Sequence, residues 1–589
     1  MCSISGIITN SKKIHVGDIV SQLNKTLGHR GPDGSDTHSI SFQRQFECCL
    51  GMTRLAIRGG IYMNQPMKSK DGNKILVFNG EIFNCENLSK KYLQKELKYN
   101  YSDTEVLFDL LCKVGIGIVK ELKGMFSFSF VERNKNTLYL VRDTLGFKPL
   151  YMSKVHGGYM FSSETFGLKN IINTQINSNA IIDYLYYGYV NYLNPLYKDI
   201  EEVKPGYIYE IRDGNLRKEK YEYVPEQNNR NFSEIIDDSI LDWLSSDTKI
   251  ALGLSGGIDS NLILLSALHN GAKDKIQPFT VSFPWMMDNQ DEVTFSKQIC
   301  KDFNIEHEIL IIDENEIFDG WLDTINALDE PFSGGISSFW LYKNIKNKGF
   351  RVCITGAGGD ELFGNYGLSY HYSKLGRMKR YKNYLKMGGS IKAIFNYPMG
   401  TLHAPIFSPN NNIVINGLPK YHKYSAEKIS DSLWEKNSGT LQNLKTQTFS
   451  LQLPNEFLKM TDRLSMTSSV EARTPLLDQD IVYFMVNNIT NNEILFEDKT
   501  ILLNKIKDYQ PNYSPLKKLG FPTPQEKIMQ KFKDRYSFKD IKKMQNTLAD
   551  RIGFEIKINN FADRWDTGEN ANSSDWNYVN LLMWSSSLK

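Results

Sequence analysis

The stretch KIALGLSGGIDSNLILLSALHN, residues 249–270, decides the architecture of the C-terminal half. KIALGL has the apolar character of a buried strand, SGGIDS turns the chain, and NLILLSALHN continues with the apolar spacing of a helix. A strand feeding a helix through small residues leaves backbone N–H groups exposed at the helix start, where bound phosphate is favoured. The loop lacks the GK[ST] ending of the Walker type, so it is not built to cleave a γ-phosphate.

Working outward, further strands are expected at residues 276–283 and 351–355, with helical patterns between them and another helix at 234–245. This βαβ alternation predicts a doubly wound parallel sheet with ligands at the carboxyl ends of its strands. Upstream, CSISGIIT (2–9), KILVFNGEIF (74–83), GMFSFSFVE (124–132) and TLYLVRD (137–143) read as strands. Residues 89–97 and 104–114 recur at helical spacing, so helices should cover those sheets in a layered α+β or α/β unit. The polar stretch LRKEKYEYVPEQNNRNFS (216–233) has little to bury and reads as a linker. The expected division is therefore residues 1–215, the linker 216–233, and a second domain over 234–589. A chain of 589 residues is in any case too long for one core.

The 70 basic and 67 acidic residues nearly balance, and no basic stripe tracks along the chain, which argues against nucleic acid as a partner. Lysine-rich KNIKNKGFR (343–351) reads as a solvated helix face. Seven cysteines without CxxC spacing suggest neither a disulfide framework nor a zinc site, and a reducing, cytoplasmic setting is expected. No apolar run approaches the roughly 18 residues of a membrane span, so no membrane partner is expected.

Cys2 follows an initiator methionine that an aminopeptidase can remove. A thiol of pKa roughly 8.5 beside an α-amine of roughly 7.7 to 8.0 would then hold nucleophile and base in one residue.

Six segments follow in order: HRGPDG (29–34), LGMTRLAI (50–57), FNGEIFN (78–84), SDTEVL (102–107), GMFSFSF (124–130) and VRDTLGFKPLYM (141–152). Together with Cys2 they resemble the class II glutamine amidotransferase domain, an N-terminal-nucleophile fold of packed sheets whose terminal cysteine hydrolyses glutamine. SGGIDS resembles the PP-loop of ATP pyrophosphatases. ITGAGGDELFGNY (354–366), TDRLSMTSSVEARTPLLD (461–478) and KKLGFPTP (517–524) extend the resemblance to the glutamine-hydrolysing asparagine synthetase family over nearly the whole chain.

The resemblance implies that Arg54 holds the glutamine carboxylate as a bidentate guanidinium and that Asp103 receives its ammonium. It implies that Asn79 and Gly80 donate to the oxyanion while Glu81 lines the pocket. His29 has no chemical task and reads as structural. On the ATP side the resemblance assigns Leu254, Ser255, Gly256, Gly257, Asp259, Ser260, Val281, Thr355 and Gly356 to the nucleotide. Asp259 and Asp360 fall to Mg²⁺, Ala357 and Asp360 to the acceptor, and Lys518, rather than its neighbour Lys517, to the adenylation transition state. Aspartate is the default acceptor, and a homodimer is expected by analogy. Ala357 departs from the glutamate the family carries at that position; an alanine can neither bind an ammonium group nor take a proton. Another carboxylate, such as a uronic acid in surface polysaccharide synthesis, is therefore the alternative acceptor.

Overall fold

The computed structural model describes residues 2–42, 46–57, 65–96, 102–226, 230–364, 413–416, 448–488, 499–516, 524–558, 561 and 573–588. In its first half, two antiparallel sheets lie face to face. One contains β1 (Cys2–Thr9), β2 (Gly34–Ser41), β3 (Glu47–Arg54), β8 (Tyr151–Val155), β9 (Gly158–Ser162) and β10 (Ile200–Glu202), in the order β10-β8-β9-β1-β3-β2. The other contains β4 (Met67–Lys68), β5 (Lys74–Ile82), β6 (Gly124–Glu132), β7 (Thr137–Arg142), β11 (Tyr207–Arg212) and β12 (Asn215–Lys220), in the order β12-β11-β7-β6-β5-β4.

Alternation along each strand explains the layering, because successive side chains point to opposite faces. Ile4 and Ile8 of β1 pack with Leu50, Val77, Leu140 and Ile211 between the sheets. Ser5 and Ile7 turn the other way, towards the helix Val16–Thr26, where the Ser5 hydroxyl donates to Asn24 Oδ1 at 2.7 Å and Ile7 shares a core with Val20 and Leu23. On the outer face of the second sheet, Phe78, Phe126, Phe128 and Phe130 pack against the helix Asp103–Lys113. The result is four layers, helix on sheet on sheet on helix.

Two expectations need correction here. The segment read as a linker opens with β12, whose residues pair with β11 from Arg212↔Asn215 to Tyr207↔Lys220. Its polar composition is that of an exposed edge strand. The helix expected over 89–97 is a turn, Cys85–Leu88, continuing as a single wide stretch, Ser89–Leu93, before Gln94 adopts a left-handed conformation and ends it.

The second half is built on a five-stranded sheet, β15-β14-β13-β16-β18, with every neighbouring pair parallel. Its strands are β13 (Ile250–Gly253), β14 (Ile276–Ser282), β15 (Glu308–Ile311), β16 (Val352–Ile354) and β18 (Glu471–Arg473). Helices Phe232–Trp243 and Ile258–His269 pack on one face and Ile317–Leu328 and Ser337–Asn347 on the other. Leu262 to Leu265 are all buried, which is why that helix reads as apolar all round. A short pair, β17 (Ile413–Asn416) with β19 (Glu555–Ile558), lies apart from the main sheet. Among the described residues no helix is long and apolar enough to cross a membrane.

The halves meet over a large mixed interface. Trp243 is fully buried and sits with its ring 4.5 Å from that of Phe83 and 5.4 Å from that of Phe147, while its indole N–H donates to Asp478 at 2.7 Å. Beside this apolar seam the helix Lys459–Thr467 carries charges into the first half. Asp462 accepts from Arg30 at 2.7 and 3.1 Å, and Lys459 lies 3.2 Å from Glu202. Arg30 also reaches Glu164 at 2.8 Å, where His29 pairs as well, so His29 does sit in a structural network.

Candidate active site

The first cluster forms where β1 begins. Antiparallel register sets Cys2 opposite Arg54 of β3, and the backbone nitrogen of Cys2 donates to Asn79 Oδ1 of β5 at 3.2 Å. Asn79 is fully buried, yet its Nδ2 has no hydrogen-bond partner among the described residues, a donor in place for an incoming oxygen. Gly80 follows with φ of 150°, and a β-carbon there would overlap the Met125 carbonyl, so only glycine fits. Burial raises the Cys2 thiol above its usual range, while the Leu55 backbone amide and the Arg54 guanidinium pull it back. Asp103 starts its helix and accepts from the Ile82 and Thr104 amides at 3.1 and 2.8 Å, which fixes its carboxylate in the same corner as β5.

The second cluster lies at the carboxyl ends of β13 and β16. The Ser255 and Ser260 hydroxyls are 3.0 Å apart, and Asn261 Nδ2 donates to the carbonyls of Ser255 and Gly257 at 3.1 and 2.6 Å. These bonds hold the loop at the wall of a cavity of about 410 Å³. All residues assigned from sequence to nucleotide and acceptor line it: Leu254, Ser255, Gly256, Gly257, Asp259, Ser260, Val281, Thr355, Gly356, Ala357 and Asp360. Gly359 brings the second loop so close to Asp259 that a β-carbon would strike its carboxylate. Lys518 and Lys517 lie outside the described residues.

A cation stands at the centre of this cluster. Lys499, 2 % exposed and in a left-handed conformation, places Nζ at 2.7 and 2.6 Å from the Asp259 oxygens and at 2.6 Å from Asp360. Two carboxylates converging on one point form a hard oxygen donor set of the kind Mg²⁺ uses together with phosphate oxygens. The chemistry of the pair therefore fits that ion.

A third group joins the clusters. Arg473, at the end of β18, donates through Nε to Glu471 at 2.6 Å and through Nη1 to the Trp243 and Ser245 carbonyls at 2.8 and 2.7 Å. Its Nη2 lies 3.6 Å from Glu81, the neighbour of Gly80, and its own carbonyl accepts from the Thr355 amide at 3.0 Å. Glu471 is buried, which opposes its ionisation, but Arg473 and Lys148 hold it below the usual glutamate range.

Residues 1–222 match the family model described as a glutamine amidotransferase domain, and residues 231–585 match the one described as asparagine synthase. This chain belongs to the asparagine synthase family. Among its relatives, asparagine synthetase [glutamine-hydrolyzing] 1 of Bacillus subtilis is 26% identical over 565 residues, covering 89% of this chain and 87% of that protein. A Methanocaldococcus jannaschii protein provisionally named asparagine synthetase [glutamine-hydrolyzing] 2 is 29% identical over 427 residues, covering 66% and 80%. Asparagine synthetase [glutamine-hydrolyzing] 3 of Bacillus subtilis is 25% identical over 538 residues, covering 83% and 81%.

Within this asparagine synthase-type site, sequence reading missed Asn261, Lys499, Glu471 and Arg473. Asn261 sits one residue past the SGGIDS loop and could have been found as its side-chain clamp. Lys499 precedes an ordinary amphipathic pattern, TILLNKIKDY, and nothing local marks it as buried. Glu471 and Arg473 fall inside the segment 461–478, where nothing local marks them as buried or as reaching the first half.

Proposed function

We propose that the protein is a glutamine-hydrolysing asparagine synthetase that makes ammonia in its first half and an acyl adenylate in its second. Cys2 attacks the glutamine amide, with its own α-amine as base once Met1 is removed. Arg54 and Asp103 hold the two ends of the amino-acid head, and Asn79 and Gly80 donate to the tetrahedral oxyanion. Such donors are typically worth roughly 3 to 4 kcal/mol each in the transition state. Collapse of the tetrahedral intermediate breaks the C–N bond, expels ammonia and leaves a glutamyl thioester; water then releases glutamate and frees the thiol.

In the second half, the acceptor carboxylate attacks the α-phosphate of ATP and expels pyrophosphate. The Ser255–Gly256–Gly257 turn and Ser260 cradle the leaving group, Leu254 and Val281 flank the base, and Thr355 and Gly356 border the AMP portion. Asp259 and Asp360 would hold Mg²⁺, which supplies charge to the departing pyrophosphate. Lys518 is assigned to the adenylation transition state. Ammonia then attacks the acyl carbon, giving the amide and AMP.

The observation that carries this reading is the junction at Arg473, which touches Glu81 on the glutamine side and the Thr355 backbone on the ATP side. Two half-reactions that exchange ammonia need a fixed mutual orientation, and this residue is in ion-pair range of one side and hydrogen-bonded to the other. Ala357 in the cavity wall supports a second reading, amidation of a different carboxylate such as a uronic acid. Pyrophosphate release from ATP, Mg²⁺ and glutamine, with aspartate compared against a panel of uronic acids, decides between them. Release with asparagine formation upholds the first reading; silence with aspartate and turnover of a panel acid upholds the second.

A further inference from the structure

The cavity that holds Ala357 has a second acid in its wall. Glu456 lies on the wide helical stretch Thr448–Leu458, in which Pro454 interrupts regular hydrogen bonding, and such π-type turns recur at functional sites. Gln452 donates to Glu456 Oε2 at 3.0 Å, while Oε1 comes close to Gly334, where a β-carbon would sit 3.6 Å from it. Among the described residues no lysine, arginine or histidine is paired with Glu456, and none lines the cavity. The same wall includes Gly335, Phe457 and Met460.

A carboxylate in a partly apolar wall with no described counter-cation is unfavourable when ionised, and a cationic ligand group relieves it. Burial and the neighbouring Glu361 raise the Glu456 carboxyl to about 7. The requirement at this place is known from the reaction itself. An amino-acid acceptor brings an ammonium group into the cavity, and the loop residue that should face it is an alanine.

We infer that Glu456 replaces the acid missing at Ala357 and receives the ammonium of the acceptor, which makes it the residue that selects an amino acid over a plain carboxylic acid. This rests on the asparagine synthetase reading above. It assigns the cavity two ends: the phosphate end at Asp259 and Ser260, and an ammonium end at Glu456. The acceptor's reacting carboxylate then lies between them, within reach of the nucleotide.

The experiment uses the full-length enzyme and measures pyrophosphate release against aspartate concentration for wild type, Glu456→Gln, and the double variant Glu456→Gln with Ala357→Glu. The expected result is an aspartate KM raised about tenfold or more in the single variant, with the ATP KM and the glutaminase rate unchanged. The double variant should recover most of the loss, because the carboxylate has been moved back to the loop. Succinate, which has no ammonium group, should inhibit wild type and Glu456→Gln equally. An unchanged aspartate KM, or a parallel rise in the ATP KM without rescue by Ala357→Glu, overturns the assignment. If Glu456→Gln does not fold, Glu456→Asp gives the same comparison. Wild-type silence with aspartate refutes the synthetase reading instead; turnover of an acceptor without an amine then overturns the role of Glu456 as well, and turnover of an amine-bearing one, with KM raised in Glu456→Gln, upholds it.

Discussion

The Arg473 guanidinium lies 3.6 Å from the Glu81 carboxylate, so a strand end of the parallel sheet reaches the residue that follows Asn79 and Gly80 in β5 of the antiparallel one. The same guanidinium is bonded at 2.6 Å to Glu471, which is fully buried. Removing Arg473 would take from that carboxylate its hydrogen-bonded counter-charge and leave the Trp243 and Ser245 carbonyls short of a donor. Arg473→Met should therefore lose about 3 to 5 kcal/mol of stability, and Glu81→Gln, which gives up only the longer contact, less than about 1. Urea unfolding of the two variants checks the contrast; equal losses would mean that the Glu81 contact, not Glu471, holds the interface.

Asn79 Nδ2 is a buried donor with no partner among the described residues, which is the state expected of a group reserved for a transient oxyanion. Asn79→Ala should lower the glutaminase kcat about 10² to 10³-fold with little change in the glutamine KM. Cys2→Ala should abolish glutamine use and leave amide synthesis from ammonium salts intact. Loss of ammonia-dependent synthesis in Cys2→Ala would contradict the two-site scheme.

The parts of this fold that were legible in the sequence are those governed by local pattern. Strand alternation in CSISGIIT and the run KIALGLSGGIDS carry their structure in neighbouring residues, and β1, β13 and the helix Ile258–His269 follow from them. What escaped was set by distant contacts. Arg30, Asp462, Lys459 and Glu202 carry no local mark of burial, because burial where the two halves meet is decided by partners hundreds of positions away. Lys499 is the same case within the ATP site: its place between Asp259 and Asp360 depends on three chain segments meeting. The strand β12 was hidden for a different reason, since an exposed edge strand is polar and resembles a linker.

The interface charges make a pH prediction. Glu330 is buried 3.4 Å from Lys459 and near Glu202; burial raises its carboxyl to about 7, with Lys459 and Arg463 opposing the rise and Glu202 adding to it. A carboxyl raised on folding binds more protons in the native state, so its contribution is complete below the unfolded value and is lost as pH rises through about 7. Glu330→Gln has no such loss. Between pH roughly 5 and 8 the variant should gain about 2 to 3 kcal/mol on the wild type, read from urea midpoints at each pH. A constant difference across that range would show that Glu330 stays ionised on folding.

Lys499 supplies the last test, because it occupies the point on which Asp259 and Asp360 converge. While its ammonium is there, a divalent ion alone must compete with an internal cation, so Mg²⁺ without nucleotide should move the wild-type Tm little. Lys499→Met leaves the two carboxylates repelling each other and should lower Tm in chelator. Mg²⁺ binds only the folded arrangement of those oxygens, so its addition should then raise the variant's Tm by several degrees, more than in wild type. Adding Asp259→Asn to Lys499→Met should remove that response, since a single carboxylate remains. In the same proteins pyrophosphate release should fall at least about 100-fold with glutaminase activity spared, since a charge facing the transferring phosphate is typically worth a few kcal/mol. An equal Mg²⁺ response in wild type and Lys499→Met would mean that the lysine and the ion do not share the site, and that Asp259 and Asp360 serve the lysine alone.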